Sequence, residues 1–119
     1  MNKEQLWDYI KSHDDDKNIL TAGVLPLDGN CYATHPTGLQ YCHAYSTVHT
    51  YEFTENGKTE RLVLVRNPWG HNNYNGEYRW GSSKWTKKAK DAVNYQELYQ
   101  QGGFFMMSLD EYYEGIYVT

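Results

Sequence analysis

The order of apolar and polar positions divides the chain into a helical opening and a longer extended part. Leu6, Trp7, Ile10 and His13 recur at helical spacing, and Asn2 with Gln5 three residues later has the form of a capping box. This predicts an N-terminal helix that stops by the acid run Asp14 to Asp16. Carboxylates at a helix C-terminus oppose the macrodipole, so the run reads as a solvated turn, not as a metal site. "NILTAGVL" predicts a short strand, and the Gly, Pro, Asn, Asp and Thr between Pro26 and Gln40 predict a long irregular loop. "CHAYSTVHTYEF" and "RLVLVR" are rich in β-branched and aromatic residues, and between them Asn56-Gly57 can adopt the positive φ angles of a hairpin turn. Leu62 to Val65 are apolar at successive positions, so both faces of the second strand are expected to be covered, as at the centre of a barrel or closed sheet.

The C-terminal half is more broken. "NYNGEYRWGSSKW" reads as loops with short extended pieces, and "DAVNYQELYQ" as a short helix. After Gly102 and Gly103, "FFMMS" predicts a strand, "SLDEYYEG" a turn of helix with Ser108 as N-cap, and "IYVT" a last strand. The fold class expected is α+β, mainly antiparallel.

Composition narrows the classes of function. A chain of 119 residues with 16% aromatic content, Tyr 12 and Trp 4 among them, fits one domain over 1–119 with an aromatic-rich core. The net charge of −4, with no basic cluster longer than "TKKAK", leaves no footprint for nucleic acid or for an anionic membrane. No apolar run approaches the ~18 residues of a membrane span, and the N-terminus lacks the apolar middle of a signal peptide. Two cysteines are too few for a secreted disulfide scaffold. A soluble, cytoplasmic protein is expected.

Two polar side chains stand at the ends of neighbouring strands: His43 opens one and Asn67 closes the next. Either alone would be read as structural. Together they suggest more, because Pro68 holds Asn67 extended and ends the strand, while Trp69 and Gly70 supply an apolar cover and a sharp exit. A carboxamide held there can accept a hydrogen bond from one imidazole nitrogen and leave the other for a reactant. One geometric condition applies. An ideal two-residue turn at Asn56-Gly57 puts Ser46 opposite Asn67, with His43 and Asn67 on different faces; the pair therefore needs a bulge, or a longer loop that takes in Thr54 and Glu55.

"HAYST", "LVLVRNPWG", "NGEYRWGSSKW" and "GGFFMMSLDEYY" together resemble the second half of the calpain-type cysteine protease domain, and more remotely the corresponding lobe of papain-like enzymes. The resemblance covers most of the chain. It implies a β-barrel-like antiparallel lobe with an N-terminal helix and short helices. In it His43 is general base and acid, Asn67 orients it, and Trp69 shields their hydrogen bond. The inter-lobe cleft would be bordered by these residues and the Pro26 to Gln40 loop, with peptide lying across that loop. The family's nucleophilic cysteine, and the glutamine that helps to form the oxyanion hole, belong to the other lobe, before the point at which this chain begins. Without thiolate or oxyanion donors the chain alone is expected to be inert, and its expected partners are a cysteine-bearing lobe and a peptide or protein substrate.

Neither cysteine is a convincing substitute. Cys42 adjoins His43, but adjacent strand residues point to opposite faces, and a small buried hydrophobe is its expected role. Cys31 in "GNCYA" superficially resembles the family's nucleophile motif. However, Pro36 and Gly38 leave no helix N-terminus to lower its pKa, and it lies only about a dozen residues before His43. Cys31, His35, Cys42 and His49 fit no standard zinc spacing. The family's calcium-binding acidic positions in this half fall on Asn73, Trp80, Gly102 and Phe104, none with a carboxylate, so no metal cofactor is expected. Two other readings stand beside the protease half: a degenerate lobe kept for protein interaction through the Tyr-rich "NNYNGEYRW", and a free-standing hydrolase that uses Cys31.

Overall fold

The computed structural model describes residues 2–17, 20–23, 38–39, 43–67, 74–115 and 117–118. The capping box forms as expected: Asn2 accepts from the Gln5 backbone at 2.8 Å and Gln5 Oε1 accepts from the Asn2 backbone at 3.0 Å. It starts α1 (Lys3–Asp15), which buries Leu6, Trp7 and Ile10. Each of these side chains contributes about 1.5–3 kcal/mol by leaving water. The helix runs through Asp14 and Asp15 before Lys17 turns left-handed at φ 61°. Asp14 is not solvated as the sequence suggested. Donors on a distant strand occupy its carboxylate and offset the unfavourable dipole.

Among the described residues five strands follow in a single antiparallel sheet: β1 (Leu20–Gly23), β2 (Ala44–Glu55), β3 (Lys58–Arg66), β4 (Phe104–Ser108) and β5 (Tyr117–Val118), in the order β4-β3-β2-β1-β5. The α+β, antiparallel expectation holds, but the barrel does not close. β4 and β5 lie at opposite ends of the order and do not pair with each other. Both faces of β3 are buried as anticipated, by a different means. Val63 and Val65 face α1 and α4 (Leu109–Gly115) in a core with Leu6, Trp7, Ile10, Leu39 and Tyr112. Leu62 and Leu64 face the opposite way, into a cluster with Tyr78, Trp85, Ala89, Val93 and Tyr95. Helical layers on both sides do what barrel closure would otherwise have done.

The second cluster is built from the segment read as loops and from α2 (Lys87–Val93) and α3 (Tyr95–Gln100). "DAVNYQELYQ" is thus the end of one helix and the whole of another, broken where Asn94 turns left-handed at φ 59°. Ser108 caps α4 through the Glu111 N–H at 3.2 Å. No helix among the described residues is long and apolar enough to cross a membrane.

Candidate functional site

The β2–β3 hairpin sets the position of both predicted site residues. Its turn is the two-residue kind, with Asn56 at φ 54° and Gly57 at φ 77° and Glu55 opposite Lys58. From that end the register runs without interruption to His49 opposite Leu64. It then shifts, and Thr47 lies opposite Val65 and Ser46 opposite Arg66. Val48 is the extra residue of a β-bulge. One further step along the shifted register puts Tyr45, not Ser46, opposite Asn67, and His43 lies two residues before Tyr45 on the same face. Of the two devices that could bring the pair together, the protein uses the bulge.

His43 Nε2 lies 3.1 Å from Asn67 Oδ1. The carboxamide oxygen can only accept, so in this contact Nε2 is the donor and carries the proton. Asn67 is buried at 5% exposure, whereas His43 is only partly buried. The carboxamide is therefore shielded while the imidazole keeps part of its surface exposed. Asn67 is also held through its backbone, whose N–H donates to Gly103 O at 2.9 Å. Gly103 itself sits at φ 87° in the turn leading into β4, a conformation that costs glycine little.

Residues not singled out in the sequence support the imidazole. Tyr45 meets the His43 ring edge-on at 4.8 Å, Phe105 meets Tyr45 at 5.7 Å, and Tyr74 stacks on Phe105 at 5.2 Å. Tyr74 donates its hydroxyl to Glu111 Oε1 at 2.6 Å, and burial pushes the pKa of that phenol far up, with the carboxylate acting in the same sense. A row of aromatic side chains thus runs from α4 to the histidine. Alternation along β2 and β4 could have suggested that Tyr45 and Phe105 share a face; their pairing with the site depends on the bulge.

The remaining candidates divide by position. Trp69, Cys31, His35, Cys42, Asn73 and nearly all of the Pro26 to Gln40 loop lie outside the described residues; Gly38 and Leu39 are described, and Leu39 is buried in the α1 core. His49 is bonded to Asp14 at 2.6 Å. None of the described positions that the resemblance assigns to calcium carries a carboxylate. Trp80 uses its indole N–H to reach Phe104 O at 2.9 Å, Gly102 offers no side chain, and Phe104 offers an apolar ring. Among the described residues no three His, Cys, Asp or Glu side chains gather as metal ligands.

Over residues 1–117 the chain matches the profile of the calpain family cysteine protease domain. It is 34% identical over 80 residues to calpain clp-4 of Caenorhabditis elegans, an alignment that covers 64% of this chain and 11% of that protein. With the calpain-1 catalytic subunit of Gallus gallus it shares 31% identity over 70 residues, covering 59% of this chain and 10% of that one. The chain spans about a tenth of the length of these curated relatives. The family match across nearly the whole chain shows that this protein belongs to the calpain family of cysteine proteases.

Proposed function

We propose that the chain is the His/Asn half of a calpain-like cysteine endopeptidase domain. In this reading His43 takes the proton of a cysteine thiol through Nδ1, and the thiolate attacks the peptide carbonyl. His43 then returns the proton to the leaving amine, after which it activates the water that releases the acyl group. Asn67 fixes the ring and the tautomer, and the role of covering the bond between them falls to Trp69 by the family resemblance alone. The observation that carries the reading is the 3.1 Å contact between a buried carboxamide and a histidine that is only partly buried. The thiol and the oxyanion donors come from a cysteine-bearing lobe, in the same polypeptide or another, so the 119 residues alone are inactive. The substrate is a peptide or protein in the cytoplasm, this segment itself supplies no metal site, and neither nucleic acid nor membrane is a partner.

The thiol itself tests the proposal. An imidazole next to a cysteine lowers the thiol pKa, so adding this chain to a cysteine-bearing calpain-family lobe should speed alkylation of that lobe's cysteine at a pH below the usual thiol range. The His43→Ala chain should not. Equal acceleration by both chains, or none by either, would remove the catalytic role from His43. In the latter case the interaction-module reading would take its place.

A further inference from the structure

Asp14 is in a position where a carboxylate is poorly placed, in the last turn of α1, yet its side chain is only 13% exposed. Its two oxygens take three donors from two consecutive residues of β2. Oδ1 accepts from His49 Nδ1 at 2.6 Å, and Oδ2 accepts from the Thr50 N–H at 3.1 Å and from Thr50 Oγ1 at 2.9 Å. Those residues directly follow Val48, the extra residue of the bulge. Among the described residues β1 accompanies β2 from Ala44 to Thr47, and at Thr50 Asp14 supplies an acceptor of the kind a neighbouring strand would give.

The bulge needs such support because the side-chain pattern of β2 does not call for it. Tyr45, Thr47, Tyr51 and Phe53 all occupy odd positions, as they would in an unbroken strand with one aromatic face. With Val48 bulged, Tyr45 packs in the α1 core with Thr47 bonded to Tyr112, while Phe53 and Tyr51 pack in the α2–α3 cluster. Losing the extra residue would return Ser46 to the place opposite Asn67 and turn His43 to the other face.

We propose that Asp14 is a positioning residue for the His43–Asn67 pair: by clamping His49 and Thr50 it holds the bulge at Val48, and with it the register that brings imidazole and carboxamide together. Its consequence for catalysis rests on the function proposed above, but the register can be read without catalysis. The experiment is imidazole ¹H–¹⁵N correlation NMR of the intact 119-residue chain, with the His43 signals assigned through His43→Gln. In the wild type His43 should be a single tautomer protonated at Nε2, with a cross-strand contact between Tyr45 and Asn67. Asp14→Ala should move the Nε2 resonance towards the tautomer average and weaken that contact. Thr54→Ala, which removes a side-chain bond to Thr59 at the far end of the same hairpin, should leave both unchanged. If Asp14→Ala does not fold, Thr50→Val is read in the same way; it loses one hydroxyl donor and should show a smaller shift in the same direction. An unchanged His43 tautomer in the folded Asp14 or Thr50 variant would overturn the proposal, as would an equal shift in Thr54→Ala. A wild-type Nε2 tautomer lost on Asp14→Ala, combined with no effect of His43→Ala on thiol reactivity, would keep the clamp and discard the catalytic reading.

Discussion

Two contacts around Tyr74 and Tyr112 show how closely single side chains are fitted near the site. Glu111 Oε1 accepts both the Tyr74 hydroxyl and the Glu77 N–H, the latter at 3.0 Å, so one carboxylate ties the segment after residue 73 to α4. Gly76 passes so close that an added Cβ would overlap Tyr74 Oη and Glu111 Oε2. Gly76→Ala is therefore expected to destabilise the protein by about 1–3 kcal/mol, measured by urea unfolding, through forced displacement of the Tyr74–Glu111 pair. Thr47 and Tyr112 make a buried bond of 2.7 Å between two hydroxyls. Tyr112→Phe leaves the Thr47 hydroxyl buried without that partner and should cost about 1–2 kcal/mol. His43 and Asn67 were legible from sequence as candidates because His43 opens a strand-like run within "HAYST" and Asn67 closes the next beside Pro68. Asp14 was not: its partners His49 and Thr50 lie 35 and 36 residues away, and nothing local distinguishes a docked carboxylate from a solvated one.

Among the elements, those set by local chemistry could be read from the chain. The Asn2–Gln5 box, the Asn56-Gly57 turn and the Ser108 cap each place an element end with a few adjacent residues. The bulge was expected only as one of two devices that could bring His43 and Asn67 together, and its place at Val48 was not legible. The odd-position periodicity of β2 continues through it, so only the packing of the two halves against different helical layers reveals the change of face. The α2–α3 break at Asn94 was equally hidden, since asparagine in the left-handed conformation ends one helix and starts the next. The start of α2 offers a test. Thr86 accepts from the Ala89 N–H at 3.2 Å and donates to Glu55 Oε1 at 2.8 Å, linking the helix to the hairpin tip. Thr86→Ala should cost about 1 kcal/mol in thermal or denaturant unfolding, with little effect on the His43 tautomer at the other end of the hairpin.

In the whole molecule an open sheet lies between two aromatic-rich layers, and barrel closure proved unnecessary because helices cover both faces of β3. Closure depends on which distant strands pair, which composition and periodicity along single strands do not specify. The buried phenols give this architecture a defined alkaline limit. Burial pushes the pKa of Tyr51, Tyr78 and Tyr112 up to about 12 from an ordinary value of 10.0, so the fold favours their neutral forms. The unfolded chain releases these protons first. Their contribution is therefore fully present below about pH 10 and is lost as the pH rises from there to about 12. Unfolding midpoints followed by circular dichroism should fall across that window, and Tyr112→Phe should fall less steeply.

The central claim is that the imidazole held by Asn67 serves a sulfur carried on another lobe. The direct measurement is kcat/KM for cleavage of a peptide substrate by this chain combined with a cysteine-bearing calpain-family lobe, compared among wild type, Asn67→Ala and His43→Ala. Turnover by the wild-type pair that falls by about 10² or more in both variants is predicted. Cleavage that persists at the wild-type rate with His43→Ala would contradict it.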